Sequence, residues 1–407
     1  MELVVQKYGG TSVGNAERIK AVARRVANAR EEGKHVVVVV SAMGDTTDEL
    51  IGLAQQITDH PNDREMDHLL STGEMISCTL LCMALHVVGC PAVSLTGAQA
   101  GIKTDSSHRR ARILDIDPRR INRELEHGRI VIVAGFQGIS EGMDITTLGR
   151  GGSDLTAVAL AARLGAKLCE IYTDVEGVFT ADPRIEPRAR RLADISYEEM
   201  VELASQGSRV MHPRAVEVGQ VYGLPILVAS SFKQATGTLI QGEVEMEVRN
   251  KVRGIAHDTD VAKVTVLGVP DQPGIAASIF NSLADAGINV DTIVQNASSV
   301  ERITDLTFTV GRNDLGRAMG LVEPLAASIG ARGCTNDPKL AKVSIVGTGM
   351  ASSPGYAARM FTALHDAGVN IELITTSEIR ITCIIDEDLV TKAVRSLHQA
   401  FELEKAD

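Results

Sequence analysis

The chain has 407 residues, long enough for two or three domains and a large core. Hydrophobic residues make up 44% and aromatics 3%, with no Trp, so that core must be aliphatic. A net charge of −11 argues against a nucleic-acid partner.

At the start, Met1 to Lys7 has no basic region followed by a long apolar stretch, which excludes a signal peptide. Leu3–Lys7 predicts a strand running into a glycine-rich turn, Tyr8 to Gly14. Asn15 can cap a helix over Ala16–Arg30, with apolar Ile19, Val22, Val26 and Ala29, ended by Gly33. His35 to Val40, a His and five valines, predicts a strand buried on both faces and hence a parallel sheet. The loop Ser41 to Thr47 follows. Helices are expected at about 48–57, 64–71 and 74–88, and a strand at Ala92–Leu95. Cys78 and Cys82 sit one turn apart in an apolar segment and read as buried thiols. The six cysteines form no Cys-x-x-Cys and imply no disulfide framework.

Residues 98–117 are polar and irregular, compatible with a hairpin. A helix at about 119–127 precedes a strand at 130–135. The loop Thr147 to Asp154 carries Gly149, Gly151 and Gly152, and a helix follows from Leu155 to Gly165, with Ser153 or Asp154 as its cap. The free amides of such a helix start suit an anion, and Arg150 can grip a carboxylate or phosphate with two parallel bonds. A strand at Leu168–Thr173, helices at about 196–206 and 212–222, and a strand at Ile226–Ala229 complete a three-layer α/β pattern. No apolar run approaches membrane-spanning length, so a cytoplasmic protein without a membrane partner is expected.

Residues 233–260 read as a connection. An internal repeat follows. Val264–Gly268 matches Val343–Gly347, Pro273-Gly274 matches Pro354-Gly355, and Asp285-Ala-Gly287 matches Asp366-Ala-Gly368. Each copy reads strand, helix, strand, strand, helix, strand. Two copies are too few for a solenoid and suggest a pair of small α+β domains. The expected division is 1–235, a connection at 236–260, and repeats at 261–336 and 337–407.

The loops of the first domain follow the carboxyl ends of predicted strands, the edge where open α/β sheets bind ligands. They supply Lys7, Ser41, Thr47, Arg150, Asp154, Asp174, Asp182 and Arg184, with Glu74 inside a helix. Neither glycine loop fits Walker A or Gly-x-Gly-x-x-Gly, which disfavours a dinucleotide dehydrogenase.

Four stretches, Lys7-Tyr-Gly-Gly-Thr-Ser12, Ser41 to Asp48, Gly149-Arg-Gly-Gly-Ser-Asp154 and Tyr172 to Arg184, resemble signatures of the bacterial aspartate kinases. The repeats resemble their paired ACT domains, which are ferredoxin-like amino-acid-binding modules. Phe179 stands where many relatives carry Tyr. The resemblance implies a monofunctional, feedback-regulated enzyme with an amino-acid kinase domain. Its reaction would be transfer of the ATP γ-phosphoryl group to the β-carboxylate of L-aspartate, the first step of lysine, threonine and methionine biosynthesis. It assigns Lys7 to the transferring group, and Asp154 to orienting Lys7 or, through water, a Mg²⁺ that rides on ATP. Gly9, Gly10, Gly151, Gly152 and Ser153 would line the phosphates. Thr173, Asp174, Phe179, Asp182, Pro183, Arg184 and Arg209 would surround the nucleotide, with Ser41 nearby. Arg150, Glu74, Thr47 and Ser41 would hold aspartate.

Threonine, lysine or both are expected to inhibit through the ACT pair. In copy one the effector residues are Asp271, Gly274, Ile275, Ala276, Asn289, Val290, Asp291, Gln295 and Asn296; in copy two they are Asn370, Ile371 and Ser377. A homodimer or larger assembly through the ACT domains is implied. Met246, preceded by Gly242-Glu243-Val244-Glu245, could open a separately translated regulatory subunit. The rival readings are a glutamate-type kinase of the same fold and an inactive amino-acid sensor.

Overall fold

The computed structural model describes residues 2–208, 210–233, 236–242, 251–295, 303–351 and 353–405. They fall into two units. One holds the described residues of 1–179, 191–205 and 209–249; the other holds those of 180–190, 206–208 and 250–407.

The first unit contains β1 (Leu3–Tyr8), α1 (Ala16–Glu31), β2 (His35–Val40), α2 (Thr46–Ile57), α3 (Asp63–Val87), β3 (Ala92–Leu95), β4 (Ile102–Thr104) and β5 (Ile113–Ile116). There follow α4 (Arg119–Glu126), β6 (Ile130–Ala134), β7 (Gln137–Ile139), β8 (Ile145–Thr147), α5 (Gly152–Leu164), β9 (Leu168–Thr173), β10 (Asp194–Ser196), α6 (Tyr197–Ser205), α7 (Pro213–Tyr222), β11 (Ile226–Ser230) and β12 (Thr238–Gln241). Eight strands form one sheet in the order β10-β12-β11-β9-β1-β2-β6-β3. Every pairing from β11 to β3 is parallel, while β12 runs antiparallel to β11.

The five valines of β2 are all buried, as a strand covered on both faces requires. Val36, Val38 and Val40 face a core with Ile19, Val22 and Val26 of α1 and Leu81 and Leu85 of α3. Asn15 caps α1 by accepting from the Arg18 amide at 3.0 Å. Cys78 and Cys82 lie in the same core, and burial pushes the Cys78 thiol up to about 12.

Three expectations are corrected here. The two helices at 64–71 and 74–88 are one, α3. Gly73 does not break it but lets it approach Ala42, where a Cβ would meet the Ala42 side chain at 2.9 Å. By length and composition α3 could cross a membrane, yet its inner face is packed into the core just described. The irregular stretch 98–117 does hold a hairpin, β4–β5, which joins β7 and β8 in a second sheet ordered β5-β4-β7-β8. The Thr147–Asp154 loop therefore follows β8, not the 130–135 strand. Residues 233–260 are also not merely a connection, because β12 and the start of a long strand lie within them.

The second unit holds β13 (Gly254–Pro270), α8 (Ile275–Asp285), β14 (Val290–Gln295), β15 (Ile303–Val310), α9 (Leu315–Ser328), β16 (Gly333–Val346), α10 (Tyr356–Asp366), β17 (Leu373–Thr376), β18 (Arg380–Asp386) and α11 (Val390–Ala400). Its six strands run β14-β15-β13-β16-β18-β17, all antiparallel. β13 and β16 each serve both repeats. Val264–Leu267 pairs with Asn336–Gly333 in the first; Gly254–Asp258 pairs with Val346–Lys342 in the second. The fourth strand of the second repeat thus comes from ahead of the first repeat, and the two copies are not each self-complete. Each repeat still builds its own core, one around Val264, Val266, Leu283 and Phe308, the other around Val343, Ile345, Leu364 and Leu397.

A fragment of residues 250–407 should therefore give a cooperative thermal transition. A fragment of 261–407 should aggregate or melt broadly, because Lys342–Val346 loses the partner strand on one of its two sides. Equal, cooperative melting of both fragments by circular dichroism would refute the shared-strand account.

Candidate active site

The sheet register brings four loops to one edge. The Gly9 amide donates to Tyr172 O (3.1 Å), that of Ser41 to Tyr8 O (3.1 Å), and that of Gly135 to Val40 O (3.0 Å). Asp174, Gly9, Ser41 and Gly135 consequently follow the carboxyl ends of β9, β1, β2 and β6, side by side. Between β1 and β9 the strand order reverses, which is where open α/β sheets leave a crevice for ligands.

Lys7 projects from the end of β1 and Asp154 from the first turn of α5. Lys7 Nζ lies 2.6 Å from Asp154 Oδ1, and both side chains are about nine-tenths buried. The backbone beside them is bare. A Cβ on Gly9 would lie 3.5 Å from Lys7 Nζ, and one on Gly10 would meet Ala42 O at 2.8 Å. Ser153 and Asp154 do not cap α5, contrary to the sequence expectation. The cap position is Gly151, in the left-handed region at φ +67, and no side chain caps the helix. Gly151 is obligatory there, because a Cβ would strike the His212 side chain at 2.3 Å. Ser153 packs its hydroxyl against Gly135 instead.

Glu74, on the inner face of α3, is 4% exposed. Its Oε1 accepts from the Ala42 amide at 3.2 Å, while its buried Oε2 meets no partner among the described residues. Burial raises its pKa to about 7. A buried carboxylate oxygen with no donor is a seat for a cationic group. Thr47 lies in the first turn of α2, and Arg150 is exposed beside Gly149.

Of the residues expected around the nucleotide, Thr173 ends β9 and Asp174 follows it, joined by a Thr173 Oγ1 to Asp174 Oδ1 bond of 3.2 Å. Phe179 ends the loop and is half-buried. Asp182, Pro183 and Arg184 belong to the second unit, where Arg184 Nε donates to Asp182 Oδ1 at 3.0 Å. Arg209 lies outside the described residues.

Sequence reasoning missed several groups that shape this edge. Ser231 ties Thr173 to the first loop, since its amide donates to Thr173 O (2.8 Å) and its hydroxyl is 2.8 Å from Ser12 Oγ. Phe136 takes a left-handed backbone, φ +69, between β6 and β7, and its ring lies against Gly152. Arg214 donates to Leu148 O at 2.9 Å and Ala111 O at 3.1 Å. The signal for Phe136 was its place after a buried strand; nothing marked Ser231 or Arg214.

The residues of copy one singled out as effector candidates lie on or beside α8 and β14. Gly274 caps α8 at φ +99, Ile275 and Ala276 begin it, and Asp271 precedes it. Asn289 adjoins β14, which carries Val290, Asp291 and Gln295; Asp291 is ion-paired with Lys342. In copy two, Asn370 Nδ2 donates to Glu372 Oε1 (3.3 Å), Ile371 is half-buried, and Ser377 closes the β17–β18 turn. β14 and β17 are opposite edges of the six-stranded sheet, so one chain does not bring the two sets together. Asn296 and Met246 lie outside the described residues.

Comparison with known proteins places this geometry in context. The amino acid kinase family profile matches residues 2–230, and that of the ACT domain matches 264–323 and 343–401. The chain is 53% identical over 403 residues to the aspartokinase of Geobacillus stearothermophilus, spanning 99% of this chain and 98% of that one. It is 52% identical over 406 residues to the aspartokinase of Pseudomonas aeruginosa, with the same coverage. The crystal structure of aspartate kinase from Synechocystis is 46% identical, with a TM-score of 0.55 over 98% of this chain and 69% of that one. E. coli aspartokinase III, solved in complex with aspartate and ADP, shares the fold at a TM-score of 0.82 and 24% identity, covering 98% of this chain and 99% of that one.

The buried Glu74 makes a pH-dependent prediction. Its folded pKa lies above its unfolded value of 4.5. The cost of ionising it is therefore absent below about pH 4.5, grows up to about pH 7 and is complete above that. Glu74→Gln keeps the acceptor for Ala42 and removes the charge. It should raise the melting temperature of the ligand-free protein by several degrees at pH 8.5 and by nothing at pH 4.5. A uniform shift at both pH values, read by calorimetry, would contradict the burial account.

Proposed function

We propose, for a chain that belongs to the amino acid kinase family and within it to the aspartokinases, transfer of the γ-phosphoryl group of ATP to the β-carboxylate of L-aspartate. The single observation that carries this is the buried Lys7–Asp154 pair at a glycine-lined edge, where Gly10 packs against Ala42, whose amide binds the half-partnered Glu74. A carboxylate oxygen of aspartate forms the new P–O bond, the bond to the β,γ-bridging oxygen breaks, and ADP leaves. The acceptor has a reference pKa of about 3.9 and is already ionised, so no general base is required. Positioning and charge neutralisation do the work.

Lys7 holds the transferring group, and Asp154 keeps its ammonium in place. The bare backbone at Gly9–Gly10 and Gly151–Gly152 lets the phosphates come close, with Ser153 beside them. Glu74 takes the α-amine of aspartate and Arg150 its α-carboxylate, with Ser41 and Thr47 alongside. Thr173, Asp174 and Phe179 flank the nucleotide; Asp182, Pro183, Arg184 and Arg209 are the further candidates. Mg²⁺ would arrive on ATP and cancel part of its phosphate charge. Among the described residues no cluster of three His, Cys, Asp or Glu side chains forms a separate metal site, and Asp154 is the carboxylate suited to orient the ion through water.

The ACT pair is the proposed regulatory site for threonine, lysine or both. Support comes from the two edge strands: β14 carries Val290, Asp291 and Gln295, and Asn370, Ile371 and Ser377 flank β17. A second copy of the chain can complete them, so a homo-oligomer through the ACT sheets is the proposed assembly. A regulatory subunit starting at Met246 would begin eight residues (254 − 246) before Gly254, the first residue of the strand that the second repeat needs.

A coupled ATP assay with aspartate, glutamate and acetylglutamate tests the substrate: only aspartate should turn over. Lys7→Ala should lower kcat by roughly 10²-fold or more while moving the aspartate KM little; near-normal kcat would remove Lys7 from the mechanism. Gln295→Ala should raise the inhibitory concentration of the active effector and spare uninhibited activity. If threonine and lysine, alone and together, leave the rate unchanged, the regulatory reading fails.

A further inference from the structure

Asp67 lies on α3 seven residues before Glu74, on the same face and two turns away. It is 0% exposed, yet no Lys or Arg side chain forms an ion pair with it among the described residues. Its carboxylate is instead filled by short-range donors. Thr147 gives its amide to Oδ2 at 3.0 Å and its hydroxyl to Oδ1 at 2.5 Å. The Arg109 amide reaches both oxygens at 3.0 Å, and His108 Nδ1 lies 2.9 Å from Oδ2.

A buried carboxylate is costly, and a core helix gains more from an apolar residue there. What this one holds is specific. Thr147 is the last residue of β8 and opens the loop that carries Arg150 and starts α5. Arg109 has a left-handed backbone, φ +65, and its carbonyl lies 3.0 Å from where a Cβ on Gly149 would stand. The next residue along, Leu148, is gripped from the other side, its carbonyl accepting from Arg214. An anion takes the donors at Thr147 and a cation takes the acceptor at Leu148.

We propose that Asp67 is a positioning residue for phosphoryl transfer: together with Arg214 it fixes the path of the Thr147–Gly152 loop, and so sets where Arg150 and the start of α5 meet the substrates. It touches neither substrate. The consequence for aspartate rests on the reading of Arg150 as the group that holds the α-carboxylate.

The test pairs Thr147→Val with Thr147→Ser. Val keeps the shape and deletes the hydroxyl bond to Asp67; Ser keeps the bond. Val should raise the aspartate KM on the order of 10-fold, with the ATP KM within about threefold; Ser should restore the aspartate KM. In Asp67→Asn, hydrogen exchange should quicken at the amides of Gly149–Asp154 while the rest of the first unit keeps its protection. The proposal is overturned if Thr147→Val keeps the normal aspartate KM while Arg150→Ala raises it. Protection lost evenly across the unit in Asp67→Asn, as in a merely destabilised protein, also overturns it. If Arg150→Ala itself leaves the aspartate KM unchanged, the substrate reading fails instead, and the exchange measurement still decides whether Asp67 holds the loop.

Discussion

The Lys7–Asp154 ion pair constrains the first unit more than any other contact. Two charges about nine-tenths out of water each carry a desolvation cost of several kcal/mol, offset only if they meet in good geometry. The geometry is 2.6 Å between atoms on a strand and a helix far apart in sequence. For Asp154 to reach Lys7, α5 must start right against the ends of β1 and β6. That seat exists only because Gly135, Gly151 and Gly152 have no side chains, since a Cβ at each would fall within 3.0 Å of Ser153, His212 or Phe136 and Leu148. The glycines of the Gly149–Asp154 motif therefore serve the seating of the helix as well as access for a ligand.

Much of this was legible in the sequence because it rests on strong local patterns. A run of five valines has few fates other than a strand covered on both faces, and it fixed the parallel sheet. The glycine loops stood out because they follow apolar runs. The rest was hidden for identifiable reasons. Gly73 looks like a helix break in one dimension; its role is close packing onto Ala42, a contact distant in sequence. β7 and β8 are three residues each, too short for any period to show. The first part of β13 was obscured by polar Asp258-Thr259-Asp260, where the pairing register shifts around bulges. Asp67 had a faint signal, an acidic residue seven positions before Glu74, a spacing that puts both on one face of the helix.

The shared strands of the second unit change how its repeats should be understood. A tandem duplication suggests two independent modules, each free to fold or be lost alone. Instead β13 and β16 each span both repeats, so removing either strand breaks the pairing of both repeats at once. The segment Thr180–Arg190 is further woven in. The Ile255 amide donates to Thr180 O (2.8 Å), Arg395 Nε donates to Ile185 O (2.9 Å), and Ala181 lies in the core of the second repeat. That segment directly follows Phe179, so the chain passes from the first unit into the second at this point without a linker.

The chemistry of the acceptor explains what the active site lacks. A hydroxyl acceptor would need a base to take its proton; a carboxylate has none to give. The imidazole of His212 packs against Gly151, and burial lowers its pKa. Its Nδ1 accepts from the Arg214 amide at 3.3 Å and caps α7, so this nitrogen is committed to structure. Charge is instead held in two contrasting ways. Lys7 is matched within the protein by Asp154, which holds it in place at 2.6 Å. Glu74 is left half-satisfied, with a pKa near neutrality, so that it gains most when a cation reaches its free oxygen. An amino acid that presents an ammonium there and a carboxylate to Arg150 has its side-chain carboxylate placed by length alone. In such a site a single added methylene shifts the attacking oxygen, which makes discrimination between aspartate and glutamate a matter of reach.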